Sequence, residues 1–258
     1  MLLCIDIGNS NIKLGLFNGD TLCCSWRINT DRDDLADEYA MLLLDLFATS
    51  DVEPSHVTGC AISSVVPSLT QEFIDLCLRY FHLTPVIPGP GSDMGIKVNT
   101  DNPSEVGMDL VMNALAARHL YGTPVIIVGL GTATTFTAVS AAGDVEGVAI
   151  APGILTSANS LFSATSTLPR VALTHPTTSI GKNTVESLQA GMVYGFSALI
   201  EGLVGRMKAE LGGEAYVVAT GGLAPIIAAE TSVIKTVEPN LALIGLKMMY
   251  EMNLANLS

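Results

Sequence analysis

The chain has 258 residues, of which 49 % are hydrophobic and 14 % charged, and its formal net charge is −13. Acidic residues outnumber basic ones by 25 to 12 and no run of Lys and Arg occurs, so we expect no nucleic-acid partner. No apolar run approaches the roughly 20 residues that span a bilayer, and the start MLLCIDIGN lacks the basic segment of a signal peptide. This composition predicts a cytoplasmic protein without a membrane partner, with part of its apolar surface buried between subunits.

The first half of the chain begins with a predicted β-hairpin. The segment LLCIDIGNSNIKLGLF reads as strand, glycine turn and strand, and NGD then starts a return strand through LCCSWRI. A helix is predicted from Thr30, because TDRDDLADEYAMLLLDLFA has a capping residue, early acids and apolar residues at helical spacing. The strand TGCAISSVV, a helix from Pro67 and the brief strand TPVIPG follow, and a Gly/Pro-rich loop at 88–104 closes this half.

The second half repeats the hairpin. A helix that opens at about Ser104 and closes at Gly122 leads into VIIVGLGTATTF, which again reads as strand, glycine turn and strand. Aligning the two copies places Gly8 on Gly131 but Asp6 on Gly129, so only the first copy carries a carboxylate. A glycine-containing helix at 187–212, the strand EAYVVA and a last helix at 239–255 complete the chain. We predict two similar α/β halves, at 1–104 and 105–258.

Three glycine turns follow apolar strands, at 6–11, 129–134 and 219–224. In open α/β sheets, ligands bind beyond the carboxyl ends of strands, and glycine lets backbone N–H groups approach a phosphate closely. A carboxylate in such a turn, Asp6, suits Mg²⁺, held directly or through water. A single turn of this kind often makes only a turn, but three of them predict a nucleotide cleft.

Asp109 is the acid–base candidate. It lies near the start of a predicted helix, where a carboxylate can accept the proton of a hydroxyl that attacks a phosphoryl group. The alternative is an acid placed only to suit the helix dipole, and the residues alone leave both open.

Several motifs together resemble the type III pantothenate kinases, of the actin-like ATPase and sugar-kinase superfamily. The resemblance runs along nearly the whole chain, through DIGNSNIKLG, SSVVP, DNPSEVGMD, GTATTF, IAPGI, GKNTVESLQAG and ATGG. It implies a duplicated ribonuclease-H-like fold with a nucleotide cleft between its halves. It also implies a cytoplasmic homodimer that phosphorylates pantothenate with ATP, the first step of coenzyme A biosynthesis.

The resemblance also implies roles for individual residues. Asp109 is implied as the proton acceptor, and Asp6 as the residue that holds Mg²⁺ with ATP. The implied ATP-binding residues are Asp6, Ile7, Gly8, Asn9, Ser10, Asn11, Ile12, Lys13 and Thr132. The implied pantothenate-binding residues are Gly107, Met108, Asp109, Leu110 and Thr184.

Three positions depart from the family pattern. Gly129 replaces the aspartate that relatives use as a ligand for potassium or ammonium, Leu110 replaces a substrate-contacting arginine, and Thr100 replaces a tyrosine. Leucine cannot supply the charged hydrogen bonds of a guanidinium to a carboxylate. Three readings therefore stay open: a pantothenate kinase with a lost or replaced cation site, a kinase for another hydroxylated small molecule, or a non-catalytic nucleotide-binding paralogue.

Overall fold

Within residues 1–89 and 93–255, which the computed structural model describes, the chain forms nine strands and seven α-helices. The strands are β1 (Leu2–Ile7), β2 (Asn11–Asn18), β3 (Thr21–Asn29), β4 (Gly59–Ser64), β5 (Val125–Leu130), β6 (Ala133–Val139), β7 (Val145–Pro152), β8 (Tyr216–Thr220) and β9 (Thr236–Val237). The helices are α1 (Ala36–Thr49), α2 (Pro67–Leu76), α3 (Met108–Tyr121), α4 (Ile154–Ala164), α5 (Thr184–Glu210), α6 (Ala224–Ala228) and α7 (Leu241–Ala255). They belong to two units that are each compact.

The first unit contains a four-stranded sheet in the order β3-β2-β1-β4. Its residues are 1–89, 93–97, 104–116 and 242–255. Strands β1, β2 and β3 are antiparallel neighbours, whereas β4 runs parallel to β1. Strands β1 and β4 are buried along most of their length, while the edge strand β3 alternates between exposed and half-buried residues. Apolar runs therefore fill the centre of this sheet, and the alternating segment forms its edge.

The second unit contains a five-stranded sheet in the order β7-β6-β5-β8-β9. Its residues are 98–103 and 117–241. Strands β5, β6 and β7 are antiparallel neighbours, and β8 runs parallel to β5. Apart from the short β9, this order and these directions match the first sheet strand for strand. The repeat predicted from the two glycine turns is confirmed as a repeat of structure.

Each unit has an apolar core around its own sheet. The first core lies among the strands and the helices α1 and α2, and it includes contacts between Trp26 and Phe47 and between Tyr39 and Phe73. The second core lies around β5 and β8 against α5 and α6. These cores hold the sheet ends, and hence the glycine turns, in fixed positions within each unit.

Several predicted boundaries differ from the structure. Helix α1 begins at Ala36, and the Leu35 N–H before it donates to the Glu38 carboxylate. The proposed cap Thr30 does not start this helix, since its hydroxyl bonds to the first glycine turn. Helix α3 begins at Met108 after a 3-10 turn at Pro103–Glu105. The brief strand TPVIPG is a single bridge between Val86 and Ala61. Helix α4 was not predicted from the sequence, because its Ser, Thr and Asn residues have weak helix propensity.

The division of the chain at residue 104 stays a prediction about the duplication, whereas the compact units are discontinuous in sequence. Residues 104–116 and 242–255 pack with the first unit, so the start of α3 and nearly all of α7 belong with β1–β4. This places Asp6 and Asp109 in the same unit, although they are far apart in sequence.

Helix α5 is long and apolar enough, by length and composition, to cross a membrane, with a mean hydropathy of 1.2 in its most apolar window. One third of that window (33 %) is buried. Helices that pack on the core of a water-soluble domain meet the same criterion. Its buried side, which includes Val193, Ile200 and Val204, packs in the second core.

Candidate active site

Asp6 lies on β1, next to the glycine turn of the first hairpin. The strand register places it opposite Lys13 on β2 and opposite Ser63 on β4, so all three side chains project from the same face of the sheet. Only 8 % of Asp6 is exposed, and its Oδ1 has no hydrogen-bond partner among the described residues. A buried carboxylate oxygen without a partner is costly in a folded protein, and it fits an atom that a cation is to contact.

Asp109 lies in the first turn of α3 and is half-buried. The carbonyl of Gly107 accepts hydrogen bonds from the N–H groups of Leu110 and Val111, and these bonds start the helix. A Cβ atom added at Gly107 would lie 2.6 Å from Asp109 Oδ1. Glycine at this position therefore leaves room for the carboxylate of Asp109.

The two carboxylates influence each other. Burial raises the pKa of Asp6 to about 6, and the nearby Asp109 carboxylate adds to this rise while the Lys13 ammonium opposes it. Burial also raises the pKa of Asp109, although backbone N–H groups at the start of α3 and the Lys13 ammonium favour its ionised form. The first unit thus brings together two carboxylates and one ammonium that the sequence had assigned separately.

The remaining residues of the implied ATP segment lie in the turn between β1 and β2 and at the adjoining strand ends. The Gly8 N–H donates to the carbonyl of Asn11 at 3.1 Å, which closes the turn. Asn9 and Ser10 are exposed, Asn11 is half-buried, and the side chains of Ile7 and Ile12 are buried in the core. Only the backbone of the two isoleucines is therefore placed to meet a ligand.

The second unit brings together the other two glycine turns. The N–H of Gly153 and the hydroxyl of Thr156 both donate to the carbonyl of Thr132, at 3.1 and 2.7 Å. A Cβ atom added at Gly221 would lie 2.3 Å from the carbonyl oxygen of Leu130. Glycine is required at 221 for that close approach and for its φ of +104°. The two turns are therefore packed directly against each other, with Thr132 exposed.

Gly129 has three threonines around it on the same face of the second sheet. The register places Thr135 and Thr220 opposite it, and Thr137 lies two residues along β6 from Thr135. A Cβ atom at Gly129 would lie 2.4 Å from Thr135 Oγ1, so this hydroxyl occupies the space that a side chain would need. The hydroxyls of Thr137 and Thr220 are buried and have no hydrogen-bond partner among the described residues.

The implied pantothenate residues are divided between the two units. Gly107, Met108 and Leu110 surround Asp109 in the first unit and are half-buried. Thr184 is the exposed first residue of α5 in the second unit, next to the N-cap Asn183, whose side chain accepts from the Glu186 N–H at 3.0 Å. Thr100 is also in the second unit, and its buried hydroxyl has no hydrogen-bond partner among the described residues.

Two polar residues near the carboxylates were not predicted from the sequence. Ser63, opposite Asp6, is 1 % exposed. Its hydroxyl is close enough to the Asp6 carboxyl to lower the pKa of that group slightly, but it makes no hydrogen bond of ordinary geometry with any described residue. Asn113, one helical turn after Asp109, is 7 % exposed, and its Oδ1 has no hydrogen-bond partner among the described residues. The spacing of Asp109 and Asn113 on one helix face was a readable signal for Asn113.

A metal site built by the protein alone is not present in the part of the chain that the structure describes, where no group of three or more His, Cys, Asp or Glu side chains is placed to bind an ion. The partnerless Oδ1 of Asp6 suits Mg²⁺ that arrives with a nucleotide, because Mg²⁺ is commonly bound by one or two carboxylates together with phosphate oxygens. Two carboxylates and an ammonium in one unit are the groups that phosphoryl transfer needs to hold a metal, accept a proton and offset phosphate charge.

Comparison with solved structures defines the class of the fold. The activator of 2-hydroxyisocaproyl-CoA dehydratase from Clostridium difficile, solved with bound ADPNP, superimposes with a TM-score of 0.55 at 12 % identity, over 99 % of this chain and 95 % of that one. Component A of (R)-2-hydroxyglutaryl-CoA dehydratase from Acidaminococcus fermentans also gives 0.55, at 14 % identity over 96 % of each chain. The protein has the duplicated α/β fold of the actin-like ATPases and sugar kinases, as predicted.

Comparison of sequences defines the family. The family model described as type III pantothenate kinase matches residues 2–206. The type III pantothenate kinase of Roseiflexus sp. (strain RS-1) is 51 % identical over 98 % of this chain and 99 % of its own length, and that of Geobacillus sp. (strain WCH70) is 47 % identical over 98 % of each. The chain belongs to the type III pantothenate kinase family.

Proposed function

We propose that this chain transfers the γ-phosphoryl group of ATP to the primary hydroxyl of pantothenate, the first step of coenzyme A biosynthesis. The observation that carries the proposal is that Asp6, Lys13 and Asp109 lie in the first unit, near enough for their charges to influence one another, with Gly107 leaving room for the base. Membership of the family supports pantothenate as the substrate.

In this mechanism Asp109 accepts the proton of the pantothenate hydroxyl as its oxygen attacks the γ-phosphorus. The new O–P bond forms, the bond between the γ-phosphorus and the bridging oxygen breaks, and ADP leaves. The elevated pKa of Asp109 makes it a stronger base than an exposed aspartate, which helps it to take the proton. Mg²⁺ bound with ATP would neutralise charge on the phosphates, and Asp6 would hold it, directly or through water.

Lys13 and the glycine turns complete the proposed ATP site. Lys13 is half-buried opposite Asp6, where its ammonium can offset the charge of phosphate oxygens. Gly8–Asn11 and Thr132 would supply backbone and short side-chain donors to the phosphates. Gly107 to Leu110 and Thr184 would contact pantothenate.

The monovalent cation of the family does not fit the residues around Gly129. The carboxylate ligand is missing, its space is taken by Thr135 Oγ1, and the hydroxyls of Thr137 and Thr220 on the same face are neutral. Neutral oxygens compensate an ion's lost hydration less well than a carboxylate does. We therefore propose that turnover does not require potassium or ammonium.

We also propose a cytoplasmic homodimer that associates through α5. The solvent-facing side of α5 carries Gly191, Gly195, Gly202 and Gly205, and a Cβ atom at any of them would meet no other atom within 4 Å. Small residues let a second helix approach closely, which would compensate for the low helix propensity of glycine. Gly195→Leu fits the subunit itself, so light scattering at micromolar concentration should give a dimer mass for the parent and a lower mass for this variant. A monomeric parent contradicts the proposal.

The catalytic proposal is tested by ADP release with Mg-ATP and millimolar pantothenate, in sodium alone and then in potassium or ammonium at matched ionic strength. Mass spectrometry of the product identifies 4′-phosphopantothenate. Turnover that is the same in all three salts supports both the activity and the independence from the cation. Turnover only with potassium or ammonium overturns the second part, and ATP binding without any turnover overturns the first.

A second candidate is a kinase for a hydroxylated substrate that lacks the pantothenate carboxylate. Leu110, next to Asp109 in the first turn of α3, favours it, because an apolar side chain there cannot pair with a carboxylate. Pantetheine, which has an amide in place of that carboxylate, distinguishes the two candidates. A higher kcat/KM for pantetheine than for pantothenate favours the second. Absence of turnover with both, while ATP still binds, leaves a nucleotide-binding paralogue.

A further inference from the structure

The segment Thr30–Arg32, which follows β3, holds the turn between β1 and β2 at three successive residues. The Thr30 hydroxyl donates to the carbonyl of Gly8 at 2.7 Å, and the Thr30 N–H donates to the carbonyl of Ser10 at 3.2 Å. Between these two bonds, Arg32 Nη2 donates to Asn9 Oδ1 at 2.9 Å. The segment thus engages acceptors of the turn at every residue from Gly8 to Ser10.

Arg32 makes this bond although carboxylates surround it in the sequence. Its neighbours are Asp31, Asp33 and Asp34, yet it forms no ion pair with any residue that the structure describes. Asp31 Oδ1 instead accepts from the Asp33 N–H at 3.1 Å. The exposed guanidinium is therefore directed at an uncharged amide, 23 residues earlier in the chain, in preference to the nearby acids.

The chemistry of the pair fixes the orientation of the Asn9 amide. A guanidinium has only donors, so Asn9 must present its oxygen to Arg32 and turn its NH₂ group away. Phosphate oxygens of ATP only accept hydrogen bonds, so the NH₂ end is the end that they need. A residue with an acceptor at position 32 would favour the opposite orientation and present the amide oxygen to the phosphates.

We propose that Arg32 is a positioning residue for nucleotide phosphate, which acts by orienting the Asn9 amide so that its NH₂ group donates to ATP. This inference rests on the proposed function, in that the Gly8–Asn11 turn receives the phosphates. Thr30 fixes the backbone of the same turn, and Arg32 fixes its side chain. The family resemblance assigns no role to Thr30 or to Arg32.

Substitutions at Arg32 test the donor requirement. Arg32→Lys keeps a donor-only group and should leave ATP affinity, measured by titration calorimetry with Mg²⁺, within about twofold. Arg32→Met removes the donor and should lower the affinity for ATP about threefold to tenfold, the range of one net hydrogen bond. Glutamate in Arg32→Glu would accept a hydrogen bond from the Asn9 amide, and this variant should lower the affinity for ATP more than about tenfold. Arg79→Glu makes the same charge change on this unit and is the control. It breaks the surface ion pairs of Arg79 with Asp37 and Asp75, but it should leave ATP affinity within about twofold.

The KM values separate positioning from a general structural role. Arg32→Met should raise the KM for ATP by the same factor as the loss of affinity, while the KM for pantothenate and the thermal unfolding temperature stay at the parent values. A parallel rise in both KM values with a lower unfolding temperature would mean that Arg32 only stabilises the fold, and it would overturn the inference.

A double-mutant cycle with Asn9→Ala separates action through Asn9 from a direct phosphate contact. If Arg32 acts through the amide, Arg32→Met causes no further loss of ATP affinity in the Asn9→Ala background. Additive losses would overturn the inference in favour of a direct contact. Failure of the parent protein to bind Mg-ATP would refute the proposed function itself, whereas normal ATP binding by Arg32→Glu would refute only the role of Arg32.

Discussion

Asp6 allows a quantitative test of the site, through the stability of the protein without ligand. Burial raises the pKa of Asp6 from the ordinary 3.8 to about 6 in the folded chain. Because the folded-state pKa lies above the unfolded value, the contribution of Asp6 to the free energy of unfolding is fully present below pH 3.8. That contribution is lost as pH rises through about 6. At about 1.4 kcal/mol per pKa unit, the ionised carboxylate costs the fold about 3 kcal/mol at pH 7.5.

Replacing Asp6 by Asn removes the ionisation and should therefore stabilise the fold. The gain in the free energy of unfolding should be about 3 kcal/mol at pH 7.5 and about half of that at pH 5. Denaturant unfolding at the two pH values measures it, in buffer without Mg²⁺ or ATP, because a bound ligand would stabilise the parent protein. Both pH values lie above the isoelectric point of 4.5, which limits precipitation.

Asp45→Asn is the matched control, because Asp45 is an exposed aspartate on α1. It should change the free energy of unfolding by less than about 0.5 kcal/mol at either pH. An Asp6→Asn variant no more stable than the parent at pH 7.5 would refute the reasoning. A gain of equal size at pH 5 and pH 7.5 would also refute it, because the effect would then not come from ionisation.

Further substitutions test the local geometry within each unit. Asp109→Asn should lower kcat by about a hundredfold to ten-thousandfold and leave ATP affinity within about twofold, and full activity in the variant would exclude the base role. In the parent protein, kcat should fall on acidification through a pKa above the ordinary 3.8. Gly107→Ala places a Cβ atom 2.6 Å from Asp109 Oδ1 and should lower kcat about tenfold to a hundredfold in a folded protein, as steady-state kinetics can measure. Gly129→Asp should lower the free energy of unfolding by about 1–3 kcal/mol, because its Cβ meets Thr135 Oγ1, and Thr135→Ala in the same chain should restore part of that loss. Equal stability of the single and double variants would contradict this account of Gly129.

The strands could be predicted well from the sequence because their signals are local. Strand β3 alternates in burial along its length, and the turns at Gly19 and Gly143 have positive φ values that glycine adopts without strain. Helix starts were predicted less well, because they depend on distant partners. Threonine commonly caps helices, but the Thr30 hydroxyl donates to the carbonyl of Gly8, 22 residues earlier.

In the candidate site too, local features could be predicted from the sequence, whereas features that depend on tertiary packing could not. The sequence identified Asp6 and Asp109 separately, from a glycine turn and from family resemblance, but their electrostatic coupling depends on packing in the first unit. The role of Gly107 was also beyond local reasoning. A glycine that makes room for a carboxylate has the same sequence signal as one that makes a turn, and only the 2.6 Å approach to Asp109 separates them.

The equivalent positions Asp6 and Gly129 in the two copies of the hairpin have different surroundings. In the first sheet, the residues opposite Asp6 are Lys13 and Ser63, and the ammonium partly offsets the cost of a buried carboxylate. In the second sheet, the residues opposite Gly129 are Thr135 and Thr220, which carry no charge. A carboxylate at 129 would therefore need a bound cation to compensate for its burial, whereas glycine needs none and lets Thr135 fill the space. The stability of the Gly129→Asp variant should therefore depend on residue 135, because a Cβ atom at 129 would lie 2.4 Å from Thr135 Oγ1.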